Sequence, residues 1–195
     1  MTVNRLSLIV AALVVAVAAG IAASMFVGQG RSALSGRVPI GGDFALTDHT
    51  GARVGEASFR GRLMLVYFGY TWCPDVCPTE LQVIGAALDL IGEDASEVAA
   101  LFITVDPERD TWQVLADYVP HFHERLIALT GTPRDIAAAA SAYRVYYAKA
   151  DAGDGAYLVD HTSLVYLMDR DGAYLRHFTG AATAEEIAAA VREAL

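Results

Sequence analysis

An α/β fold built on parallel central strands is predicted by three features of this sequence. Leu63 to Gly69 (LMLVYFG) and Val98 to Val105 (VAALFITV) are continuous apolar runs of strand length, the pattern of strands covered on both faces. Between them Leu81, Ile84, Leu88 and Ile91 recur at helical spacing. Strand, helix and strand in that order form a βαβ unit, because parallel neighbours need a long crossover.

Ahead of this unit lies a membrane segment. Leu6 to Val27 contains 22 residues without a charge. As a helix it spans roughly 33 Å, against a hydrocarbon core of about 30 Å. A cleaved secretory signal is the competing reading, with Ala22, Ala23 and Ser24 as small residues for a cleavage site. Its apolar core would be shorter, about 7 to 15 residues. The expected organisation is an N-terminal membrane anchor over 1–29, with a short tail carrying Arg5 and a transmembrane helix over 6–27. A flexible Gly- and Ser-rich tether over 30–42 and one domain over 43–195 follow. Arg5 before the span and Arg31 and Arg37 after it barely discriminate orientation.

All 23 acidic residues but only 13 of the 14 basic ones follow the anchor, leaving that part about ten units negative. This excludes nucleic acid as a natural partner. Two cysteines cannot form a disulfide scaffold for a domain of this size, and both lie within one five-residue stretch. They mark a site.

Phe44 and Leu46 alternate with small or polar neighbours, and Asp48, His49, Thr50 and Gly51 supply a turn before Val54, so a hairpin opens the domain with His49 as a turn residue. Pro78 is expected as the first helical position after the first central strand, which places Cys77 just before the helix. A second helix follows Asp110, its expected N-cap, and a short strand covers Leu126 to Leu129. Thr132, Pro133 and Asp135 then begin an alanine-rich helix. Leu164 to Met168, the turn Asp169 to Gly172, and Ala173 to Phe178 make an antiparallel hairpin. Thr183 and Glu186 form a capping box for a last helix with Ile187, Val191 and Leu195 on one face. The order is βαβ, an insertion, then ββα, with cysteines where the first central strand meets its helix. That order predicts a thioredoxin-like α/β fold with an added N-terminal β-hairpin, preceded by one transmembrane helix.

The chemistry gathers at Thr71-Trp72-Cys73-Pro74-Asp75-Val76-Cys77-Pro78, at the carboxyl end of the first central strand. Open α/β sheets place ligands there. Pro74 biases Cys73 towards an extended backbone, and a helix start near Cys77 favours a thiolate. Three intervening residues allow both sulfurs to reach one metal at about 2.3 Å, but the spacing also permits redox chemistry. Two thiolates and one imidazole form a soft set that suits Cu(I), whereas Cu(II) favours nitrogen or oxygen. His161, just before the strand starting at Leu164, is the histidine that this topology turns towards the cysteines. No proline follows Pro133, so the cis-proline that thioredoxins carry at this junction is missing.

Blander readings accompany each residue. The cysteines could form a structural disulfide or a purely redox pair. His161 alone is more simply a strand-start histidine bonded to a backbone carbonyl, and only the motif context favours ligation. His121 and His123 share a face on an extended segment but suit surface or packing roles. Asp106 and Asp110 could modulate a metal or contact a partner, with capping the simpler role for Asp110. Tyr70 and Trp72 could shield a metal, offer a docking surface or pack at the strand end. Thr71, two residues before Cys73, leaves a peroxiredoxin-like peroxidase as a third possibility.

GYTWCPDVCPTEL, VDPERDT, HFHERLIALTGT and DHTSLVYLMDRDG together resemble the Sco/SenC copper proteins of cytochrome c oxidase assembly, over most of residues 40–195. The resemblance implies a membrane-tethered thioredoxin-like domain that binds one copper ion, Cu(I) or Cu(II), through Cys73, Cys77 and His161. It implies a metallochaperone rather than an enzyme, delivering copper to the dinuclear copper centre of oxidase subunit II. The alternative is a thiol-disulfide oxidoreductase that keeps that centre's cysteines reduced. Other implied partners are a periplasmic copper carrier or a thioredoxin-like reductant. The implied location is the inner (cytoplasmic) membrane, single-pass, with the amino terminus inside and the domain in the periplasm or an equivalent space.

Overall fold

A computed structural model describes residues 40–195. The anchor over 1–29 and nearly all of the tether lie outside the described residues. Among those described, no helix is long and apolar enough to cross a membrane.

The two apolar runs form β3 (Leu63–Gly69) and β4 (Val98–Thr104), paired in parallel from Leu63 against Val98 to Gly69 against Thr104, with all 14 residues buried. An N-terminal hairpin of β1 (Ala45–Asp48) and β2 (Arg53–Gly55) precedes them. β5 (Leu126–Thr130) is parallel to β4, while β8 (Leu164–Met168) and β9 (Tyr174–Thr179) run antiparallel beyond β3. The seven-stranded order is β2-β1-β5-β4-β3-β8-β9. This is the expected mixed α/β thioredoxin-like layout, and it puts β3 and β4 at the centre with their carboxyl ends side by side. Val105 N–H donates to the Gly69 carbonyl at 2.8 Å, joining those ends.

Helix α1 (Val76–Ile91) buries Cys77, Leu81, Ile84, Leu88 and Ile91 on one face. It begins two residues earlier than the sequence pattern suggests, so Cys77 lies within its first turn and not ahead of it. Pro78 is accommodated there because first-turn N–H groups have no intrahelical partner. Helix α2 (Trp112–Tyr118) is capped by Thr111, whose hydroxyl accepts from Val114 N–H, and not by Asp110. Asp110 is fully buried and engaged elsewhere, so it is not available as a cap. Helix α3 (Pro133–Ala142) carries the Thr132/Asp135 box and α4 (Ala184–Ala194) the Thr183/Glu186 box, both as expected. Ile187 and Val191 are buried as expected, whereas Leu195, the C-cap residue past the last helical turn, is exposed and does not share their face.

The insertion is a separate two-stranded ribbon, β6 (Tyr147–Gly153) and β7 (Ala156–His161), standing apart from the main sheet. His49 sits in the β1–β2 turn, and its backbone and Nδ1 both bond Ala128, at 2.9 and 3.2 Å, which stitches the turn to β5.

Candidate metal centre

Three elements meet above the carboxyl end of β3. Cys73 lies in the loop after the strand, Cys77 in the first turn of α1, and His161 is the last residue of β7. Their ligand atoms all lie within 4.8 Å of one another. Cys77 Sγ is 3.3 Å from His161 Nε2, and Cys77 N–H donates to Cys73 Sγ at 3.4 Å. Both cysteines are free thiols and buried. One ion with bonds of about 2.0 to 2.3 Å bridges such donors after a small contraction.

The imidazole is oriented for this. His161 Nδ1 lies 3.1 Å from the Thr162 carbonyl. A carbonyl can only accept, so Nδ1 carries the proton and the Nε2 lone pair faces the sulfurs. The rings of Tyr67 and Tyr70 stand nearly edge-on to the imidazole, with centroids 6.3 and 5.9 Å away. Burial holds the His161 pKa below its ordinary 6.5, so the ring is neutral at physiological pH and able to ligate.

The sulfur of Cys77 occupies a tight seat. A Cβ added at Gly69 would lie 2.9 Å from Cys77 Sγ and 3.0 Å from both Phe102 and Tyr67 ring carbons. Burial pushes the Cys77 thiol up to about 12, partly offset by backbone hydrogen bonding at Tyr70 and by the Tyr67 hydroxyl. The helix start therefore does not make a free thiolate of Cys77, because desolvation outweighs the dipole. A metal cation held by Cys73, Cys77 and His161 would supply the positive charge that this pocket lacks and would displace the proton.

A model of the SCO1/SenC family matches residues 32–195. The chain belongs to that family. It is 45% identical over 156 residues to the mitochondrial protein SCO1 homolog 1 of Arabidopsis thaliana, covering 80% of this chain and 46% of that relative. The chain thus spans about half the length of that plant protein. Bradyrhizobium japonicum ScoI, solved with copper bound, superposes with a TM-score of 0.76 at 47% identity, over 80% of this chain and 99% of that one. A third match is BsSco, a member of the Sco family of cytochrome c oxidase assembly proteins in which a disulfide switch was identified, with TM-score 0.64, 25% identity and coverage of 81% and 96%.

Among the described residues, the other histidines and carboxylates of these motifs are not part of the three-donor cluster. His121 is exposed in the turn after α2, beside a cleft of about 530 Å³ that it shares with Thr71, Trp72, Cys73 and Tyr118. His123 accepts from Arg125 N–H and lies 3.4 Å from Asp89, a packing role. Thr71 donates its N–H and hydroxyl to Asp110, at 3.0 and 2.6 Å, and Thr104 donates its hydroxyl to the same carboxylate at 2.6 Å. That carboxylate ties the cysteine loop to the end of β4. Desolvation raises the Asp110 pKa, and these three donors oppose the rise.

Two functional neighbours escaped the sequence reading. Arg109 lies over the rings of Tyr157, Trp72 and Tyr70, with Cζ 3.8, 5.5 and 5.7 Å from their centroids. Tyr157 donates its hydroxyl to Asp106 at 2.9 Å, and Arg109 Nε donates to the same carboxylate. A cation three residues after Asp106 is the only local signal, because the rings come from two segments, around 70–72 and at 157, that lie far from it in sequence.

Proposed function

We propose that this chain is a membrane-anchored copper metallochaperone that holds one ion through Cys73, Cys77 and His161 and serves assembly of the dinuclear copper centre of cytochrome c oxidase. The observation that carries the reading is the convergence of two buried thiols and one correctly oriented imidazole within 4.8 Å. Two sulfurs and one nitrogen form a soft donor set that suits Cu(I). Copper in the related Bradyrhizobium structure and the oxidase-assembly role of BsSco support carrying the same task to this chain. The uncharged run over 6–27 supports a single-pass anchor in the inner membrane, with the domain in the periplasm or an equivalent space.

Three donors leave Cu(I) coordinatively open. An incoming thiolate of the acceptor, oxidase subunit II, adds to the ion while a protein sulfur departs and takes up a proton. The copper keeps its oxidation state throughout. Cys73 borders the open cleft, whereas Cys77 is fully enclosed, so exchange begins at the Cys73 side. Trp72, 66% exposed beside it, gives a partner an apolar contact.

A Cu(I) competition titration tests the reading. Cys73→Ser should abolish tight binding and His161→Ala should weaken it. Wild-type affinity in His161→Ala would remove the histidine from the site.

A second reading, thiol-disulfide exchange with oxidase cysteines, is favoured by the adjacent free thiols and by the disulfide switch in BsSco. Burial of both sulfurs and the high Cys77 pKa weigh against rapid attack on a partner disulfide. Insulin reduction that depends on both cysteines would favour it over copper transfer.

A further inference from the structure

The geometry points to Arg109 as the positioning residue of the metal site, a strut that fixes the ribbon carrying His161 relative to the loop carrying Cys73. This rests on the three-donor reading above and goes beyond it, because Arg109 touches none of the donors.

The three donors come from unequal supports. Both cysteines follow the central strand β3, but His161 ends a two-stranded ribbon that pairs with no strand of the main sheet. Something must set the distance between ribbon and loop, and Arg109 contacts both. On the ribbon side its Nη1 donates to the Tyr157 carbonyl at 3.0 Å, while its guanidinium stacks on the Tyr157 ring. On the loop side the same plane lies over Tyr70 and Trp72, which bracket Thr71 immediately before Cys73. Asp106, buried at the end of β4, anchors the arginine and also accepts from Tyr157. Tyr70 completes the link: its hydroxyl accepts from Val159 N–H at 3.2 Å, two residues before His161, and its ring stands edge-on to the imidazole.

Nη2 of Arg109 is buried with no hydrogen-bond partner among the described residues. A guanidinium tolerates this where aromatic faces replace water, which a lysine ammonium, a compact and strongly hydrated charge, does not. The planar group is therefore required for its shape as well as its charge. Without it, His161 stays in the sequence but is no longer held within reach of Cys77.

The test uses the full-length chain purified in detergent, as wild type, Arg109→Ala, Arg109→Lys, His161→Ala and the double variant Arg109→Ala/His161→Ala. Groups that orient metal ligands typically change affinity by about ten- to a hundredfold. Arg109→Ala should weaken Cu(I) binding by that factor. Its Cu(II) EPR spectrum should lose the nitrogen hyperfine coupling that His161→Ala also loses. Arg109→Lys, which keeps the charge beside Asp106, should bind more weakly than wild type, and it carries the test if the alanine variant does not fold. The double variant should bind no more weakly than His161→Ala alone, because Arg109 acts through the histidine. Wild-type affinity and nitrogen coupling in Arg109→Lys and Arg109→Ala beside a weakened His161→Ala would overturn the strut and leave the copper reading standing. Additive losses in the double variant would do the same. Wild-type affinity in His161→Ala would overturn both.

Discussion

The cysteine loop and the histidine ribbon bring donors to the same point by different means. The loop grows from one of the two fully buried strands of the sheet, and Asp110 fastens it through two hydrogen bonds to Thr71. The ribbon is mostly exposed, with Val159 as its only fully buried side chain, and is held through Tyr157 and Arg109 at one edge. Two donors are thus set by the central sheet and the third by a clasp of side chains. The difference separates what can be perturbed: changes beneath the loop act on the sulfurs, and changes in the clasp act on the imidazole.

The sharpest way to break this comparison is to unfasten the loop. Asp110→Ala removes a buried acceptor that serves three donor hydrogens and should cost about 3 kcal/mol of stability, read from the urea midpoint of the apo protein. A loss below about 1 kcal/mol would mean that the loop is held by packing alone.

Next comes the proton on Cys77. With its thiol pushed up to about 12, a proton must leave whenever copper binds at lower pH. Apparent Cu(I) affinity, corrected for the competitor's own protonation, should rise at least about tenfold per pH unit between pH 6 and 8, or about 1.4 kcal/mol. A flat profile would show that the sulfur is already a thiolate. In the apo protein the folded state holds this proton more tightly than the unfolded chain. That contribution to stability is complete below about pH 9, the ordinary thiol value, and is lost as the pH rises towards 12.

The smallest effect belongs to the ribbon. Tyr157→Phe keeps the ring under Arg109 and removes only the hydroxyl that donates to Asp106, so it should cost about 1 kcal/mol or less in the same urea titration. A loss as large as that of Asp110→Ala would erase the distinction between sheet-set and clasp-set donors.

What was legible in the sequence follows the same division. β3, β4 and the helix between them were visible because strands buried on both faces and a helix with one buried face leave periodic apolar patterns. The ribbon left none: YAKADAG is mostly small or charged and exposed, and AYLVDH sets three large apolar residues side by side with only Val159 buried, so neither reads as more than an insertion. An aspartate ahead of a helix is usually its cap, which points to Asp110, yet Thr111 holds that position. Tertiary burial decided between the two adjacent residues. The cysteines and His161 were identifiable by motif, but the contact of Arg109 with three rings depends on bringing positions 70, 72 and 157 together, which no local pattern encodes.

Gly69 supplies the empty space in which the enclosed sulfur rests. A methyl group at that position would crowd the sulfur and the two rings beside it at once, so one of them must shift while the donor set stays chemically unchanged. The fit of that sulfur is therefore set by a single missing carbon on the strand floor, outside the three donors themselves.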